Sequence, residues 1–152
     1  MDDVFVNIPQ LFAFVDDHLT PKHALYAGNA HYVAVVGRDG RYGMSVEEYA
    51  KDIFPRYCSG GGFVLTRDVV EKFLRVVNAV PVIKIDDAYI GEVALRAGVD
   101  VFHDDNFAMF ESKYRCVYQE QLIVHHPVKT NDCMQCLYER TVPSIIQLTL
   151  AS

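Results

Sequence analysis

Three consecutive glycines, Gly60-Gly61-Gly62, constrain this chain more than any other stretch. Glycine brings no side chain to a core, weakens both strands and helices, and permits backbone angles closed to other residues. A run of three therefore marks a tight reversal or a place where something must approach the backbone closely. The run follows Tyr57-Cys58-Ser59 and leads into an apolar strand, Phe63-Val64-Leu65. Two readings compete: a flexible connector and a ligand-facing loop. The aromatic flanks favour the loop, because flexible linkers are seldom bracketed so closely by Tyr, Cys and Phe.

With 152 residues, 51% of them hydrophobic, the chain can bury a core as one compact domain over residues 1–152. The net charge is -6 and no basic stripe interrupts it, which argues against nucleic acid and anionic membrane as partners. No apolar run approaches the ~18 residues of a membrane span, and no secretory leader is visible. The four cysteines, Cys58, Cys116, Cys133 and Cys136, do not by themselves fix a redox compartment. Buried free thiols are common.

Strand and helix signals mix along the whole length, so the fold class is α/β. Val4 to Val6 reads as a short strand, and Asn7 as the cap of a helix with Pro9 in its first turn. Ile8, Leu11, Phe12, Val15 and Leu19 supply that helix's core face. Leu25 to Ala27 and His31 to Val36 read as two strands separated by Gly28-Asn29. Ser45 with Glu48 makes a capping box that should open a short helix through Ala50. Residues 52–62 read as irregular. Thr66 should cap a largely buried helix carrying Val69, Val70, Phe73, Leu74, Val76 and Val77. A further helix follows Asp86-Asp87, with Ile90, Val93, Ala94 and Ala97 inward and Gly98 as C-terminal cap. Strands are expected from Val99 to Phe102 and from Cys116 to Val124, with a terminal helix capped by Asn131. The apolar tail, Ile145 to Leu150, would add a strand or pack on the surface.

Three constellations could carry chemistry. Adjacent carboxylates at a strand exit, Asp2 and Asp3, can hold a hard divalent cation, which in turn holds phosphate. His125-His126 with Cys133 and Cys136 are residue types that zinc accepts, although the spacing fits a pair of cysteines on one helix better. Asp86 and Asp87 fall at a helix start, where free N–H groups and the dipole favour ionised carboxylates. Such a carboxylate can accept a proton from a hydroxyl within hydrogen-bond reach. Plain helix capping is the competing reading.

At these residues the sequence resembles a known family. Asp2-Asp3-Val4-Phe5-Val6-Asn7 is similar to the end of the Asp-Asp-Asp-Val-Phe-Val-Asn motif of the β-1,3-galactosyltransferases of glycosyltransferase family 31. Tyr57-Cys58-Ser59-Gly60-Gly61-Gly62-Phe63 resembles the family's Tyr-Cys-Ser-Gly-x-Gly-Tyr/Phe block, and Asp86-Asp87-Ala88-Tyr89-Ile90-Gly91 its Glu-Asp-Val-Tyr-x-Gly block. Val124-His125 matches a late Val-His, with Cys116 at a family cysteine. The blocks stand in family order and cover nearly the whole chain.

The resemblance implies the C-terminal portion of a GT-A-type fold, a mixed sheet with flanking helices. It implies inverting, Mn²⁺-dependent transfer of galactose or an N-acetylhexosamine from a UDP-sugar donor to a hydroxyl of a glycan acceptor, in β-1,3 linkage. Asp3 would be the metal-binding carboxylate, Asp2 its neighbour and His125 the second protein ligand. Asp87 would be the catalytic base. Tyr57, Gly60, Gly61, Gly62 and Asp86 would line the substrate. Cys58 and Cys116 would be oxidised, as suits the lumenal side of a Golgi membrane. In the family an anchor, a stem and a nucleotide-binding half precede the first block, whose first aspartate is Met1 here. The expectation is a chain without its natural beginning that lacks a uridine site when alone. The rival expectation is a non-catalytic glycan- or partner-binding module.

Overall fold

The computed structural model describes residues 3–18, 24–109, 116 and 118–151, with side chains up to Thr141. Its content is mixed α/β, as the sequence predicts. The chain divides into two compact units, residues 24–104 and residues 1–23 with 105–152.

The 24–104 unit is built on a three-stranded sheet of β2 (Tyr26–His31), β5 (Tyr57–Leu65) and β6 (Phe102–His103), in the order β5-β2-β6. β2 runs antiparallel to β5 and parallel to β6. Helices α2 (Arg67–Val76) and α3 (Asp86–Ala97) contribute Val69, Phe73, Val93 and Ala94 to a core that also holds Tyr26 and Cys58. Tyr26 is fully buried, so its hydroxyl needs a partner; it accepts the Cys58 N–H at 3.0 Å. A second cluster, Val36, Met44, Tyr49, Phe54 and Ala88, lies beside the antiparallel pair β3 (Ala34–Val35) and β4 (Ile53–Phe54).

Several expectations change here. The glycine run lies within β5 rather than in a connecting loop, but it is the irregular part of that strand: Gly28 pairs with Phe63 and Ala30 with Cys58, so residues 59–62 bulge out with no register partner on β2. Gly28-Asn29 likewise does not break β2, which absorbs it as a register shift between Gly28 and Ala30. Gly28 is needed for closeness, since a Cβ there would sit 3.0 Å from the Phe63 Cβ and 3.1 Å from the Cys58 Cβ. The capping box forms, with Ser45 N–H to Glu48 Oε2 at 2.8 Å and Glu48 N–H to Ser45 Oγ at 3.2 Å, yet it closes only a turn. Arg38 holds that loop, donating to the carbonyls of Tyr49 and Lys51 at 2.8 Å each and to Asp52 Oδ1 at 2.9 Å. In α2 only Val69 and Phe73 are buried, whereas Leu74 is exposed. A helix lying on one sheet buries one stripe, so the wider apolar spacing over-counted. α3 behaves as predicted, with Gly98 in the left-handed conformation (φ 64°) at its C-terminal cap.

The other unit contains the sheet β1-β8-β7. β1 (Phe5–Val6) pairs antiparallel with β8 (Val124–His125), and β8 runs parallel to β7 (Phe107–Ala108). Helix α1 (Ile8–His18) starts at Asn7, whose Oδ1 accepts the Gln10 N–H at 3.3 Å. Its buried residue is Phe14, edge-on to Phe107 at 5.5 Å, while Ile8 and Phe12 are exposed. The helix is thus rotated from the predicted face, and Leu19 lies outside the described residues. Helix α4 (Asn131–Ala151) is capped by Thr130 Oγ1, which accepts the Cys133 N–H at 3.2 Å. It continues through the tail that the apolar pattern offered as a strand. Among the described residues, no helix is long and apolar enough to cross a membrane.

Candidate active site

The 24–104 unit brings Asp87 and the glycine run together. Asp87 lies in the first turn of α3, where N–H groups have no intrahelical partner. Its Oδ1 accepts the Ala88 N–H at 3.0 Å, and its Oδ2 accepts the Gly60 N–H, from β5, at 3.1 Å. The carboxylate is therefore oriented by two backbone donors from two elements. Asp86 is exposed and its Oδ1 accepts the Asp87 N–H at 3.0 Å.

Helix α3 can lie this close to β5 because of Gly91. A Cβ at that position would stand 2.8 Å from both the Arg56 carbonyl oxygen and the Tyr57 Cβ. Gly60 of β5 is under no such steric demand, since a Cβ there would make only ordinary contacts. Neither Gly60, Gly61 nor Gly62 has a positive φ, so the run is not used for unusual backbone angles. A Cβ on Gly60 would lie 3.6 Å from Asp87 Oδ2, so its absence leaves bare backbone beside the carboxylate. The neighbour of the run in this structure is the side chain of Asp87, whose Oδ2 accepts the Gly60 N–H.

Tyr57 and Ser59 flank this point on β5. Burial, followed by the negative charge of Asp87, raises the Tyr57 hydroxyl above its ordinary pKa. His31, opposite Tyr57 in the β2–β5 register, stacks on its ring at 4.8 Å and places Nε2 2.6 Å from Ser59 Oγ. His31 was read only as the start of a strand. No sequence spacing links it to Tyr57 and Ser59; the pairing register alone does so.

The second candidate centre lies in the other unit. Asp3 precedes β1, and its carbonyl accepts the Val128 N–H at 2.6 Å. Its Oδ1 lies 3.7 Å from His126 Nε2, both side chains being about one-third exposed. His125 is buried at 2% exposure, opposite Phe5 on β1 and Ala108 on β7. The resemblance gave His126 no role, yet its imidazole meets Asp3. Asp2 lies outside the described residues. Carboxylate oxygen and imidazole nitrogen suit a divalent ion that draws further ligands from phosphate and water. Among the described residues, no group of three or more His, Cys, Asp or Glu side chains forms a complete metal site.

All four cysteines stand as thiols in this structure, where the resemblance implies oxidised Cys58 and Cys116. Cys58 is fully buried, and burial pushes its thiol up to about 12. Cys116 neighbours Cys133, whose carbonyl accepts its S–H at 3.2 Å.

The sequence profile of the Galactosyltransferase family matches residues 2–105, which include Asp3, the glycine strand and Asp87. The chain is 31% identical over 135 residues to an acetylgalactosaminyl-O-glycosyl-glycoprotein beta-1,3-N-acetylglucosaminyltransferase of Mus musculus, covering 82% of this chain and 34% of the relative. It is 28% identical over 132 residues to N-acetyllactosaminide beta-1,3-N-acetylglucosaminyltransferase 4 of Homo sapiens, covering 82% and 35%. It is 27% identical over 119 residues to the beta-1,3-galactosyltransferase brn of Drosophila melanogaster, covering 75% and 36%. The chain thus spans about a third of the length of these relatives.

Proposed function

The chain belongs to the galactosyltransferase family, and from that premise we propose that it forms part of an inverting β-1,3-hexosyltransferase. The donor is a UDP-sugar carrying galactose or an N-acetylhexosamine, and the acceptor is a hydroxyl of a glycan on a protein or lipid. The relatives' names, all β-1,3-transferases of galactose or N-acetylglucosamine, support the linkage and the sugar class. The lumenal side of the Golgi membrane and the GT-A-type fold are further parts of this reading.

The observation that carries the proposal is the Asp87 carboxylate, held by the Gly60 N–H at 3.1 Å against a strand stripped of side chains. Inverting transfer needs a base that takes the acceptor proton as the hydroxyl attacks the anomeric carbon. A carboxylate held by backbone donors keeps its orientation without help from substrate. The bare glycine backbone gives a sugar room to approach it. Tyr57 and Ser59 offer hydroxyls to the acceptor on the same strand. Asp3, with Asp2, His125 and His126 as candidate co-ligands, would hold a divalent ion such as Mn²⁺. That ion supplies Lewis-acid neutralisation of the leaving diphosphate.

The test is a transfer assay on the full-length protein, using UDP-galactose, UDP-N-acetylglucosamine and UDP-N-acetylgalactosamine against galactoside and N-acetylhexosaminide acceptors with Mn²⁺. Asp87→Asn should lower kcat by about 10²–10⁴-fold, the range for removing a general base, and leave UDP binding intact. Transfer that survives Asp87→Asn undiminished overturns the assignment. Glycan binding without nucleotide, together with no transfer from any donor, favours the binding-module reading.

A further inference from the structure

Three of the four cysteines meet in the unit that does not contain Asp87. Cys133 and Cys136 stand three residues apart on α4, the spacing that puts two side chains on one face of a helix. Cys116 lies against that face. Its Sγ is 3.2 Å from the Cys133 carbonyl oxygen, and, after burial, the Cys133 and Cys136 thiols help raise its own above the ordinary value. Cys116, Cys133 and Met134 pack on the core of Phe5, Ala108, Leu122, Val128 and Leu137, so Cys116 and Cys133 share the edge of one apolar cluster. Metal binding is a poor use of this trio, because among the described residues no such group is arranged to hold an ion.

We propose that Cys116 and Cys133 close a disulfide, with Cys136 as a third thiol that can take over the bond by exchange. The closure ties the start of α4 to the segment leading into β8, the strand of His125. This inference is independent of the transferase reading.

The oxidant is a low-molecular-weight or protein disulfide, RSSR. A helix thiol first attacks RSSR, giving a mixed disulfide and releasing one RSH. Cys116 then attacks the helix sulfur of that mixed disulfide and expels the second RSH. The net change is two cysteine thiols plus RSSR to one cystine plus two RSH, so atoms and electrons balance. The order follows from the thiolate being the nucleophile. Burial pushes the Cys116 thiol up to about 12, so it suits the second, intramolecular step, where the reacting sulfur is already beside it.

The experiment is peptide mapping of the unaltered full-length protein. The reduced protein is equilibrated with oxidised glutathione, alkylated without reductant and digested with trypsin. The peptide of residues 116–129 should be recovered joined to the peptide of residues 130–140. In Cys133→Ser the two peptides should remain joined through Cys136, and in the Cys133→Ser/Cys136→Ser double variant Cys116 should be alkylated. Recovery of peptide 116–129 with Cys116 alkylated in the unaltered protein overturns the proposal. So does its linkage to peptide 57–67, which carries Cys58, or to any other cysteine. Because the decisive reading uses the unaltered sequence, a variant that fails to fold cannot hide the result.

Discussion

The two units treat their candidate carboxylates in opposite ways. Asp87 is gripped: a backbone N–H from its own helix and another from a neighbouring strand fix both oxygens. Asp3 is held by its backbone and leaves its side chain about one-third exposed beside His126. The contrast follows the chemistry each is proposed to perform. A base must point at one hydroxyl, so orientation matters most. A metal ligand must reach an ion that arrives from solvent with its own waters and phosphate, so access matters most.

The sharpest way to break this comparison is in the exposed unit. Asp3→Ala should raise the Mn²⁺ concentration for half-maximal activity by well over 10-fold, since it removes a ligand outright. His126→Ala should raise it by about 10-fold, within the range for loss of a group supporting a metal ligand. Metal titrations of activity read both. Indifference to His126, with a large effect of His125→Ala, would return the role to the buried imidazole.

Gly91→Val tests the gripped unit. Its Cβ would fall 2.8 Å from the Arg56 carbonyl oxygen and the Tyr57 Cβ, so α3 must move off β5. The expected loss is about 1–3 kcal/mol in denaturant unfolding, the cost of overpacking a tight contact. Activity should fall further than stability does, because the displaced helix carries Asp87. A silent Gly91→Val would mean that the approach of α3 to β5 is not needed to set the base.

His31→Ala sharpens the same unit at smaller scale. Removing the partner of Ser59 should raise the acceptor KM about fivefold, the value of one hydrogen bond of about 1 kcal/mol. Hydrolysis of the UDP-sugar should not change. A loss confined to thermal stability would make His31 a packing residue.

The smallest expected effect is at Asp68. The Thr66 hydroxyl, donating at 2.6 Å, holds the Asp68 carboxyl below its ordinary value of 3.8. A carboxyl depressed by folding contributes stability that is fully present above its unfolded value and lost as pH falls through the folded one. Asp68→Asn should therefore lower Tm slightly at neutral pH, and the two proteins should converge in acid. A Tm gap that does not narrow as the pH falls below the ordinary value of the Asp68 carboxyl would contradict this.

The sequence by itself determined the punctuation and the chemistry-bearing blocks. Asn7 capped α1, Gly98 closed α3, and Asp86-Asp87 opened a helix, because these features depend on neighbours a few residues away. The motif resemblance likewise identified the family. Tertiary structure decided what lay across the chain. It paired β5 with β2 on both sides of the three glycines and left the run itself as a bulge between the paired ends. It rotated α1 to bury Phe14 instead of Phe12, because the partner of that face is Phe107, distant in sequence. It set His31 against Ser59, His126 against Asp3 and Cys116 against Cys133. Local sequence encodes where an element starts and stops, but which side chains meet is fixed by register and packing between segments that the sequence does not place side by side.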